Sequence, residues 1–163
     1  MGFFEQIRQD RRMAGSKGFG LFDLMVTVVV VSLLAVLAIP AYDQFVSRAK
    51  VARAIGDISA ISLAIETFRL HNQDRIPDSL LELNMDIPTD PWGSQYSYLN
   101  IRTAGPGKGA LRKDGKLNPL NSDFDLYSSG KDGESKMPLA AKASHDDIVR
   151  ANNGAYVGLG EDY

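Results

Sequence analysis

Few side chains in this sequence are placed to do covalent chemistry. An enzyme built on a nucleophile, a base and an orienting group has little to draw on: cysteine is absent, and the only histidines are His71 and His145. His71 falls at the end of a helical pattern, where an imidazole suits the helix dipole. His145 stands beside Asp146 and reads as loop surface. Enzymatic activity is not expected. Gly105-Pro-Gly-Lys-Gly109 lacks the spacing G-x-x-x-x-G-K-[ST] and a framing strand and helix, so it reads as a flexible turn rather than a phosphate cradle. Asn121-Ser-Asp123-Phe-Asp125 imitates the opening of an EF-hand loop, but Leu126 stands where glycine is required. On a strand those alternate residues share one face, expected to meet solvent. Asp23 is different: it is the only ionisable residue between Leu21 and Ala41. A carboxylate there is costly and needs a partner, unless it is simply solvated at a membrane surface.

The element that carries Asp23 is the dominant feature of the chain. Leu24 to Ile39 is 16 residues without a charge, and counted from Phe19 the apolar stretch reaches 21. That is about the length needed to span a bilayer. A core helix this uniformly apolar needs a large protein around it, and 163 residues do not provide one. A secretory signal would end in a small-residue cleavage site after the run, but Pro40 and an amphipathic continuation follow instead. A retained membrane helix is the expectation. Arg8, Arg11, Arg12 and Lys17 precede it against Glu5 and Asp10, so residues 1–18 carry +2 and the remainder −4. Basic residues on that side place the N-terminus in the cytoplasm and residues from about 45 onward outside. The total of −2, without a basic stripe, gives no reason to expect a nucleic-acid partner.

Beyond Pro40 the pattern changes. Val51, Ala54, Ile55, Ile58, Ile61, Ile65 and Phe68 recur at helical steps, with Arg48, Lys50, Arg53, Asp57, Glu66 and Arg69 between them. One helix is expected from Phe19 to His71, roughly 80 Å at ~1.5 Å per residue, with Pro40 bending it or interrupting its hydrogen bonds. Loop signals follow. Asp78 or Ser79 can cap a short turn over Leu80 to Leu83, and Asp90-Pro-Trp-Gly93 is a turn. Strands are expected at Gln95 to Ile101 and Phe124 to Ser128; from Ser129 onward the composition reads as mostly irregular.

Lys17-Gly18-Phe19-Gly20-Leu21-Phe22-Asp23-Leu24-Met25-Val26 resembles the cleavage motif of type IV pilins and type II secretion pseudopilins. In that family a basic leader ends in glycine. A prepilin peptidase cuts after it and methylates the new N-terminal amine, and an acid follows as the fifth mature residue. Gly18, Phe19 and Asp23 fall on those places, and Ile39-Pro40-Ala41-Tyr42 matches the family's proline and tyrosine. Aspartate here replaces the usual glutamate, and Gly20 a common threonine. Asp90-Pro-Trp-Gly93, Tyr96, Tyr98 and Asp125-Leu-Tyr-Ser-Ser-Gly-Lys-Asp-Gly133 resemble the head of the major pseudopilin.

The resemblance implies an α+β fold, a long helix packed on a small antiparallel sheet. It divides the chain into a leader (1–18), a transmembrane and polymerisation helix (19–42) and a periplasmic head (43–163). It implies assembly through Asp23 and Pro40 into a helical homopolymer, a pseudopilus serving type II secretion. The partners are then the peptidase, an inner-membrane assembly platform, minor pseudopilins and, before assembly, lipid. A surface pilin for adhesion, motility or DNA uptake is the alternative. The resemblance also sets a calcium ion in the head, with carbonyls at Ser129 and Ser144 and carboxylates at Asp132, Asp146 and Asp147. Oxygen donors of this kind suit calcium. The residues alone are equally satisfied by a turn at Asp132-Gly133 and a helix cap at Asp146-Asp147.

Overall fold

The computed structural model describes residues 19–105, 111–115 and 117–163. These contain one long helix, α1 (Leu21–His71), and four short strands: β1 (Ser97–Asn100), β2 (Phe124–Ser128), β3 (Ile148–Ala151) and β4 (Tyr156–Leu159). By contacts the chain divides into two units between Asp43 and Gln44. Helix α1 crosses that division, and Pro40 lies inside it with helix on both sides. The fold is α+β and pilin-like, as the resemblance implies.

In the second unit α1 lays a stripe of Ala54, Ile58, Ile61 and Ile65 into the core, all fully or almost fully buried. Steps of four and three residues put these side chains on one face. They meet Phe124 and Leu126 of β2, Ile148 of β3, and Ile76 and Tyr96. The helix ends where Gln73 and Asp74 take positive φ values of 54° and 66°. Asp74 then bridges Arg69 at 2.6 Å and Arg102 at 3.1 Å, fastening the turn to the loop after β1. The expected short turn forms a 3-10 helix at Leu80–Leu83, with the Ser79 hydroxyl accepting from the Leu81 amide.

The strands stand in chain order, β1-β2-β3-β4, and every pair is antiparallel. Register runs from Asn100 opposite Phe124, through Ser128 opposite Ile148, to Ile148 opposite Leu159. Half of this sheet lies in the stretch expected to be irregular. That expectation fails because β3 is buried at all four positions, so its sequence shows no alternation of apolar and polar residues. Its second face carries its own small core, Leu120, Leu139, Val149 and Ala151, flanked by Tyr127 and Tyr156. The same covering overturns another expectation. Asn121, Asp123 and Asp125 do not face solvent; all three are buried. Segments 111–115, 117–121 and 137–141 lie over that side of the sheet, joined by amides of Lys113 and Leu139 bonding to carbonyls of Met137 and Lys113.

Candidate functional site

The chain presents two candidate sites, one at the start of α1 and one in the head. Gly18 lies outside the described residues. Phe19 and Asp23 open the helix, with Asp23 in its first turn. There an acid complements the positive end of the helix dipole. One Asp23 oxygen, Oδ2, accepts the Gly20 amide at 3.1 Å, satisfying a backbone donor that the helix itself leaves free. Thr27 and Ser32 donate back to the carbonyls of Asp23 and Val28, so they place no free hydroxyl on the apolar surface. Every large apolar side chain from Phe19 to Phe45 is exposed in the single chain. The helix is long and apolar enough to cross a membrane.

The head carries a dense polar network. Arg112 and Asp147 are 1% and 0% exposed, and Nη2 of the arginine donates to Asp147 Oδ2 at 2.5 Å. Ser135 completes a triangle: its hydroxyl donates to the same oxygen at 2.6 Å and accepts from Arg112 Nη1 at 2.7 Å. The guanidinium also lies 4.0 Å from the centre of the Tyr127 ring. Its backbone amide donates to Asp125, whose other oxygen accepts from Asn121. A second ion pair joins Arg150 to Asp123 by two bonds of 2.9 and 2.7 Å, with the guanidinium 3.9 Å above Phe124. Burial raises the carboxyl pKa of Asp125 and Asp147, and the bonds they accept only partly oppose it. Burial acts on Asp123 in the same sense, but Arg150 outweighs it and holds that carboxyl below its ordinary value.

Of the five donors set for calcium, Ser129 is half-buried and the three carboxylates take separate tasks. Asp146 Oδ2 accepts the amides of Lys131 and Asp132 at 2.7 and 3.0 Å. Asp132 is exposed and accepts the Glu134 amide, forming the turn that Gly133 completes. Ser144 is buried, its hydroxyl bonded to both the amide and the carbonyl of Lys136, while its carbonyl, the expected donor, faces Gly160. Asp147 turns to Arg112. Among the described residues no three acidic or histidine groups stand together to hold a metal ion. Asp147 Oδ1 is buried without a partner, the one feature that a cation would answer. The donor set as it stands does not fit calcium.

The two arginines went unnoticed in the sequence, although one signal was there. Arg150 interrupts the apolar run Ile148-Val-Arg-Ala151, and a charge inside a strand needs a buried partner. Nothing local marks Arg112, whose partner is 35 residues away.

No protein-family model matches the chain. It is 33% identical over 137 aligned residues to the type II secretion system core protein G of Pseudomonas aeruginosa, covering 72% of this chain and 84% of that one. The protein of the same name from Escherichia coli is 26% identical over 138 residues, covering 72% and 83%. A type IV major fimbrial protein of Dichelobacter nodosus is 31% identical over 101 residues, covering 62% of each chain. The long apolar helix, the small antiparallel sheet and these likenesses have one meaning: the chain belongs to the type IV pilin-like family, with the secretion core proteins G and the type IV fimbrial proteins.

Proposed function

We propose that this chain is the structural subunit of a helical pseudopilus that supports type II secretion, formed by packing its N-terminal helices together. The observation that carries this reading is the first part of α1. Seventeen large apolar side chains from Phe19 to Phe45 find no cover among the described residues, and the only charge among them up to Ala41 is Asp23. Lipid can cover that surface before assembly, and other copies of the same helix can cover it afterwards. Cleavage after Gly18 frees an amine on Phe19, which the peptidase methylates. In a filament that amine and the Asp23 carboxylate of a neighbour neutralise each other, because either alone in an apolar bundle is costly. The pairing fixes the register of each new subunit. The role is structural, with the head in the periplasm and an inner-membrane platform adding subunits.

The secretion reading is favoured over the pilin one by coverage. The likeness to the core proteins G extends over more than four fifths of their length, and that to the fimbrial protein over less. Deleting the gene tests it. The expected result is that folded exoproteins collect in the periplasm while surface pili persist. Lost pili with intact secretion would establish the pilin reading instead. Intact mass of the membrane-extracted protein should place its first residue at Phe19 with a methylated amine.

A further inference from the structure

We propose that the head carries its own cation: the Arg112 guanidinium holds Asp147, one of the acids the resemblance assigns to calcium, and it staples the loop between β2 and β3 to the sheet. The place has the three properties of a staple. It is closed, since both partners are inaccessible to solvent. It joins segments distant in sequence: Arg112 comes from the connection before β2, Ser135 from the middle of the loop, and Asp147 from the approach to β3. It is also directional, because three short bonds form a closed triangle and the arginine plane rests on Tyr127. Guanidinium is suited to this, being permanently charged, planar and more weakly hydrated than an ammonium group.

The two neighbouring acids then do different work. Asp146 and Asp147 face different partners. Asp146 takes the outer side and grips the Lys131 and Asp132 amides. Its carbonyl lies against the Cα of Gly130 so closely that no side chain fits there. Asp147 takes the inner side and balances Arg112. An ion near Asp147 would meet a positive group already in contact with that carboxylate. This inference does not rest on the filament reading, and it can fail while that reading stands.

The test uses the full chain in detergent, melted in excess calcium chloride and in chelator, with Trp92 fluorescence as the readout. Wild type is expected to melt at one temperature in both. Arg112→Gln is expected to melt roughly 10 °C lower in chelator, since it leaves Asp147 buried without a counter-charge. Calcium should recover part of that loss, because the oxygens around Asp147 are then free to take it. Arg112→Lys, which keeps the charge and loses the fork, should fall between. A second readout is limited proteolysis of the loop between Lys131 and Lys142, which should quicken in Arg112→Gln. A wild-type melt that rises with calcium and falls with chelator would overturn the proposal, as would an Arg112→Gln chain as stable as wild type. Should Arg112→Gln fail to fold, the wild-type comparison alone still decides.

Discussion

The two buried ion pairs of the head differ in what their carboxylates gain from folding. Asp123 is held below its ordinary pKa because Arg150 outweighs burial. Its contribution is therefore full above the ordinary value of 3.8 and is lost as pH falls through its lower folded value. Asp125 and Asp147 are raised, so they bind protons more readily in the folded head and offset part of that loss in acid. Asp123→Asn should cost about 3 to 5 kcal/mol at neutral pH by leaving Arg150 buried and unpaired. Urea midpoints should show the gap between wild type and variant narrowing below the ordinary carboxylate pKa. A gap that stays constant through the acid range would mean the pair does not govern it. Gly130 permits a second contrast. Its φ is +64° and a Cβ there would strike the Asp146 main chain, whereas Gly133, at +70°, has open space around it. Gly133→Ala should cost about 1 to 2 kcal/mol for its left-handed backbone. Gly130→Ala should cost distinctly more and detach the loop, visible as faster amide exchange at Lys131 and Asp132.

Elements differed in how plainly they could be read. The stripe Ala54, Ile58, Ile61 and Ile65 was legible because α1 buries one face and exposes the other, so the helical period survives in the sequence. Strand β2 and the Ser79 turn were legible for local reasons as well. Strand β3 was not, because Ile148-Val-Arg-Ala151 is covered on both faces, and β4 was not, because Gly158 breaks its apolar pattern. The same two-sided burial hid the role of Asp123 and Asp125, which meet Arg150, Arg112 and Asn121. At the candidate sites, Phe19 and Asp23 were marked by the resemblance to the cleavage motif, while nothing marked Arg112, since only folding brings it to Asp147. The tail strand should matter more than its composition suggests. It completes a four-residue ladder with β3, and the Gly160 amide bonds the Asp147 carbonyl at 2.8 Å. Removing residues 152–163 should uncover β3 and take most of the head's stability, commonly about 5 to 15 kcal/mol for a domain. A cooperative melt in the truncated chain would show β4 to be dispensable.

For the molecule as a whole, attraction and solubility lie in different parts. Apolar surface without cover among the described residues is concentrated in the first part of α1, and residues 19–163 carry a net charge of −4. Assembly should then depend on Asp23 without the head's fold depending on it. Asp23→Ala should leave the subunit inserted and the head's melting temperature unchanged. It should also shorten cross-linking ladders sharply, as an orphaned Phe19 amine costs about 3 kcal/mol or more. Asp23→Glu should restore them. Equal ladders in all three would reduce Asp23 to its bond with the Gly20 amide. Contacts between heads should strengthen with salt, since repulsion between like charges at exposed positions is screened within about 10 Å at moderate ionic strength. The order of the sheet bears on how such a subunit is made. If the head is exported behind its anchored helix, as proposed, it emerges as a thread, β1 first and β4 last. Each strand pairs with the one just delivered, so none waits for a partner still on the other side of the membrane. The open edge at any moment is the one the next segment is about to close, which leaves little time for a neighbouring chain to take its place.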